Sequence, residues 1–128
     1  MNDAIDLEIL EVFIQEAEEL LLDFEEAALD LEQSRQQDRF DDLCRSAHNL
    51  KGSAQGTGLD GLGEFVHKVE TLMELNLSAD ASGLKQSFSA LLLCQDFMLT
   101  WVRSLHANAA HTPPYSNLLE LWPKKIAA

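Results

Sequence analysis

Apolar side chains recur at three- and four-residue steps along most of the chain. Ile9, Leu10, Phe13, Ala17, Leu20, Phe24, Ala27, Ala28 and Leu31 trace one such stripe. That period belongs to an amphipathic helix and not to a strand, and it predicts a first helix over 6–33. Gln33-Ser34-Arg35-Gln36-Gln37 is a polar connection. Phe40, Leu43, Cys44, Ala47, Leu50 and Ala54 predict a second helix over 38–56, with Asp38 as N-cap and Gly56-Thr57-Gly58 as the stop. Leu62, Phe65, Val66, Val69, Leu72 and Met73 predict a third over 60–77, capped by Asp60. Ser78 to Ser82 reads as a turn with two further caps. Leu84, Phe88, Leu91, Leu92, Met98, Leu99, Val102 and Leu105 predict a fourth over 81–108, ending before Thr112-Pro113-Pro114. No segment alternates as a strand does. Four amphipathic helices with short connections predict an all-α fold, an antiparallel up-down four-helix bundle, with 1–128 as a single domain.

The fourth helix has a second apolar side. At about 100° per residue, Leu93, Cys94, Phe97 and Trp101 fall beside its main stripe and need a cover of their own. Tyr115, Leu118, Leu119, Leu121 and Trp122 form a short amphipathic segment after the two prolines. A fifth helix over 115–122, folded back onto that side, is the expected cover.

Charge narrows the function classes. Nine Lys and Arg against 22 Asp and Glu leave a net charge of −13. Residues 1–42 hold 15 of the acids and only Arg35 and Arg39 as bases, so the whole excess sits on the first helix and the start of the second. Nucleic acid and anionic membranes are excluded as partners, since either needs a basic patch. No apolar run is long enough to span a membrane, and the acidic opening lacks a signal peptide's basic region, which makes the cytoplasm the expected compartment. Cys44 and Cys94 lie on apolar faces and form no zinc-type pair, so they are read as buried thiols.

The second helix carries the candidate chemistry. With Ala47 at the centre of its buried stripe, His48 falls about 100° away, at the solvent edge, and Lys51 shares its side. Gly52 lies next to His48 on the helix surface. A glycine inside a helix costs about 1 kcal/mol against alanine, and Gly56 and Gly58 already end this one. Its gain is access, a cleared approach to the imidazole, and Gly63 is expected to do the same on the third helix. An exposed neutral imidazole is a nucleophile near neutral pH, and a neighbouring ammonium offsets the charge of phosphoryl oxygens. A carboxylate is then needed to orient the ring. Glu70 and Glu64 are the candidates, with Glu70 nearer the apolar edge of its helix and expected to hydrogen-bond His48 while partly solvated. Glu64-Phe65-Val66-His67 is also an E-x-x-H, the element of di-iron bundles, but no second copy exists. No metal site is expected.

Ala47-His48-Asn49-Leu50-Lys51-Gly52-Ser53-Ala54 resembles the signature of histidine phosphotransfer (HPt) domains, and most of all the phosphotransfer domain at the N-terminus of CheA-like chemotaxis kinases. The likeness extends to Phe13-Ile14-Gln15-Glu16-Ala17 and to His67-Lys68-Val69-Glu70. It implies a phosphorylated His48, with Lys51 beside the phosphoryl group, Glu70 bonded to the imidazole and His67 as a polar neighbour. Gly52, Gly63, Glu64, Asn49 and Gln55 become candidate partner-binding positions. It further implies a phosphocarrier that is not itself an enzyme and holds no cofactor. ATP would sit on a separate histidine kinase domain, and Mg²⁺ on a response-regulator receiver domain. As an isolated domain it is expected to be a monomer. The alternative is a helical adaptor that binds a partner without chemistry.

Overall fold

The structure is a computed structural model that describes residues 6–77 and 84–124. Helix α1 runs Leu7–Ser34, α2 Gln37–Gly56, α3 Asp60–Asn76, α4 Leu84–Ser104 and α5 Ser116–Leu119. No strand occurs among the described residues. The four long helices pack in a ring, each against its neighbours in sequence and α4 back against α1. Side-chain contacts give the directions. Arg39 at the start of α2 meets Asp30 near the end of α1, and Ser53 near the end of α2 meets Glu16. Gln95 donates to the Leu21 carbonyl at 3.1 Å and Arg103 approaches Glu18, so α4 runs against α1. The expected antiparallel up-down bundle is therefore the observed one.

The core is the predicted stripe with local shifts. Leu10, Phe13, Ala17, Phe24, Ala27, Ala28 and Leu31 are buried on α1, but so are Ile14 and Leu21, while Ile9 is 55% exposed. Leu10, on the same turn, is buried, so Ile9 falls on the uncovered side of α1, where it lines an open groove with Gly56 and Thr57. Two expected caps are not caps. The chain turns between α1 and α2 in two residues, with Arg35 in the left-handed region at φ 58° and its N–H on the Leu31 carbonyl. The second helix thus begins early, at Gln37 behind Gln36, and Asp38 lies inside its first turn. Asp60 likewise is the first residue of α3, behind Leu59. Both carboxylates still act favourably on the helix dipole from there. Arg39, bonded to Asp30 and Asp42, ties the two helices at this corner. The expected Ser78–Ser82 turn lies outside the described residues, and α4 ends at Ser104, before the expected 108.

α3 and α4 pack less closely than the other neighbours. Aromatic rings fill the wedge: Phe65 lies 5.3 Å from Phe97 and 4.7 Å from Tyr115, centre to centre, and Trp101 stacks on Tyr115. The segment after α4 returns along it, with Trp122 buried beside Cys94 and the Leu121 carbonyl accepting from Gln86. The expected cover is present, but only four of its residues are helical. Leu93 stays 50% exposed, so the cover does not reach it.

Candidate functional site

Leu43, Ala47, Leu50 and Ala54 bury one face of α2. That choice turns His48 outward, with 71% of its side chain exposed. α3 lies alongside in the opposite direction, bringing Gly63 to Gln55 and Glu70 to Lys51. Glu70 follows the buried Val69 on α3, and its own side chain is only 12% exposed. It sits at the rim of the buried stripe, mostly covered but not fully buried. A carboxylate held there needs a counter-charge. Lys51 supplies one, its Nζ 2.7 Å from Glu70 Oε1. Oε1 is sealed from solvent and accepts no well-aligned hydrogen bond, so the contact is a charge pair and not a directed bond.

Two imidazoles face the same carboxylate. His48 Nδ1 lies 3.7 Å from Glu70 Oε2, and His67 Nδ1 lies 3.8 Å from Oε1. The expected hydrogen bond from His48 is thus not closed, since 3.7 Å is beyond its reach. The Lys51 ammonium engages the carboxylate first. The approach of Nδ1 nevertheless places Nε2 as the ring nitrogen left for an incoming group. Glu70, not Glu64, is the acid at His48. Glu64 is exposed and approaches Lys68 at 4.0 Å. With His67 also exposed, the E-x-x-H faces away from the core. Among the described residues no three His, Cys, Asp or Glu are grouped to hold a metal.

The two glycines differ. A Cβ on Gly52 would meet nothing within 4 Å, so the surface beside His48 is bare. A Cβ on Gly63 would stand 2.8 Å from Gln55 Cγ. Gly63 is buried and lets α3 lie close to α2; it does not clear an approach, and Gln55 belongs to that seam. Asn49 is exposed beside His48. Burial raises both thiols to about 11, desolvation being the main cause, which leaves Cys44 and Cys94 inert near neutral pH.

The sequence reading did not find the other wall of the site. His48, Gly52 and Ser53 line a surface hollow together with Glu16, Glu19 and Asp23 of α1. The concentration of acid on the first helix was visible, but not which of its carboxylates would stand beside the histidine.

The Hpt domain family model matches residues 8–99, which takes in all four long helices in whole or part. The chain belongs to the Hpt domain family. It is similar to the chemotaxis protein CheA of Rhizobium meliloti (strain 1021), 38% identical over 68 residues, and to that of Treponema pallidum (strain Nichols), 37% identical over 78. These segments are 52% and 58% of this chain but only 9% and 10% of the relatives. No solved structure gives a significant match. Among the described residues no helix is long and apolar enough to cross a membrane.

Proposed function

We propose that this Hpt domain carries a phosphoryl group on His48 between proteins of a phosphorelay. A separate histidine kinase domain holding ATP, or a phosphorylated receiver domain, donates the group. An aspartate of a response-regulator receiver with its own Mg²⁺ accepts it. The chain contributes the carrier imidazole, and in this reading it is a phosphocarrier of the cytoplasm and not an enzyme.

The observation that carries this reading is the exposed His48 ring, its Nδ1 toward the half-buried Glu70 carboxylate and bare Gly52 beside it. In the phosphorylated form Nε2 is bonded to phosphorus and Nδ1 keeps a proton directed at Glu70. When the receiver aspartate attacks, its oxygen bonds phosphorus and the P–Nε2 bond breaks. The electron pair returns to Nε2, and because Nδ1 holds its proton the imidazole leaves neutral. Lys51, 2.7 Å from Glu70, offsets charge on the phosphoryl oxygens. Docking geometry and the partner's metal supply the remaining catalysis.

The test is to label the protein with phosphorylated receiver or kinase and map the phosphate by mass spectrometry at alkaline pH. Label on His48 of the wild type and none on His48→Gln supports the reading. Label retained by His48→Gln overturns it. Binding of partners with no label on any residue would make the chain an adaptor instead.

A further inference from the structure

α4 shows solvent a face that neither the bundle nor the chemistry of His48 uses. With Met98 at the centre of its buried stripe, Lys85, Ser89, Leu93 and Asp96 fall on the opposite side of the helix, at about 100° per residue. All four are exposed, Leu93 at 50%. The C-terminal segment continues this face. Leu121, whose carbonyl accepts from Gln86, is 42% exposed, and Leu118 and Leu119 are only partly covered. Among the described residues neither Lys85 nor Asp96 has an ion-pair partner. The face therefore combines uncovered leucines with one unpaired base and one unpaired acid.

We infer that a second copy of this chain occupies the face, the two α4 helices lying antiparallel about a two-fold axis, in place of the monomer expected from the sequence. Two observations select this occupant. The first is the division of charge. The whole acidic excess lies in residues 1–42, and the rest of the chain carries as many bases as acids. Two copies can meet across α4 and the C-terminal segment without setting the acidic α1 against itself. Leu22 and Leu29 on α1 are also exposed, but Glu25 and Glu26 lie between them, so a contact there would oppose acid to acid. The second is that the α4 face is complementary to itself. A two-fold contact requires that where one residue meets another, the second meets the first. With the axis between Ala90 and Leu91, Lys85 of each copy stands opposite Asp96 of the other, and Ser89 leaves room for Leu93. The same axis brings the two C-terminal segments to one edge of the contact, where Leu121 gains cover. α2 stands diagonally across the ring from α4, so His48 stays open on both copies. The inference does not depend on what His48 carries.

The test is sedimentation equilibrium of the full chain. So few side chains make a contact smaller than the standard one, and the mass should rise toward that of a dimer only between about 10 µM and about 1 mM. Lys85→Glu and Asp96→Lys each set like charges across the axis and should weaken association by about tenfold. Asp96→Lys also lowers the net acidity of the chain, so a weakening there does not come from general repulsion. The double variant Lys85→Glu/Asp96→Lys restores opposite charges and should recover association. Leu93→Asp should abolish it, whereas Leu22→Asp/Leu29→Asp on α1 should leave it unchanged. The altered positions are exposed, and helix content by circular dichroism should match wild type in each. A chain that stays monomeric throughout overturns the inference. So do single charge variants that associate as wild type does, a double variant that fails to recover, or loss of association in the α1 variant with none in Leu93→Asp.

Discussion

Trp122→Ala tests how the C-terminal segment is held. Trp122 is 2% exposed while Leu121 beside it is 42% exposed, so adjacent residues should differ sharply. A buried tryptophan removes about 150–250 Å² from water, and at about 25 cal/mol per Å² its truncation loses about 4 kcal/mol. Measured aromatic-to-alanine changes in cores agree with that scale, at about 3–5 kcal/mol. For a domain of this size the melting temperature should fall by about 10–20 °C. Leu121→Ala should cost less than about 1 kcal/mol. The indole N–H has no hydrogen-bond partner among the described residues beyond the weakly accepting Cys94 sulfur it lies against. Trp122→Phe should therefore recover part of the loss, because it keeps one aromatic ring and removes a poorly satisfied donor, though it leaves the space of the second ring empty. The assay is thermal unfolding by circular dichroism, with labelling of His48 measured where both variants are folded. Labelling should be unaffected, since Trp122 packs on α4 and His48 lies on α2. A melting temperature unchanged in Trp122→Ala would refute the packing of this segment.

Glu70→Gln should keep helix content but slow receiver-dependent labelling of His48 by about tenfold, through loss of the charge that faces Nδ1 and holds Lys51; an unchanged rate would remove Glu70 from the chemistry. Gly52→Ala should raise stability by about 0.5–1 kcal/mol, because a mid-helix glycine is replaced where a Cβ meets nothing, and yet should slow transfer between proteins. Gly63→Ala should instead lower the melting temperature, as its Cβ would press on Gln55. Hydrogen bonds from Arg39 first, and then Arg45, hold the Asp42 carboxyl below its usual 3.8, so its contribution is fully present above that pH and is lost as pH falls through the lowered folded value. Asp42→Asn should thus lower the melting temperature at neutral pH and lose that effect in acid, which a pH series of melts would show.

The helix spans and the buried stripe were legible because a helix that buries one face must repeat its apolar residues every three to four positions. His48 was legible for the complementary reason: Ala47 and Leu50 commit the buried face, and the two residues between them, His48 and Asn49, must then turn away. Helix starts were less legible. A cap depends on where the preceding chain turns, and the left-handed Arg35 moved the start of α2 ahead of Asp38. Ile9 read as core because periodicity does not say which edge of an apolar stripe the neighbouring helices cover.

The sequence by itself determined that this chain is a helical bundle with an exposed histidine, a lysine and a glycine on one turn, since all of that lies within single helices. Only the tertiary structure decided what stands across from them. Glu70 and Glu64 are equivalent acids until α3 is set against α2, when one is drawn under Lys51 and the other left in solvent. Gly52 and Gly63 are both mid-helix glycines until a neighbour is present to fill the space over one of them. The acidic wall of the His48 hollow comes from α1, more than 20 residues upstream. A helical repeat places side chains around one axis, whereas the rotation and offset of that axis against the next follow from how the two buried faces interlock.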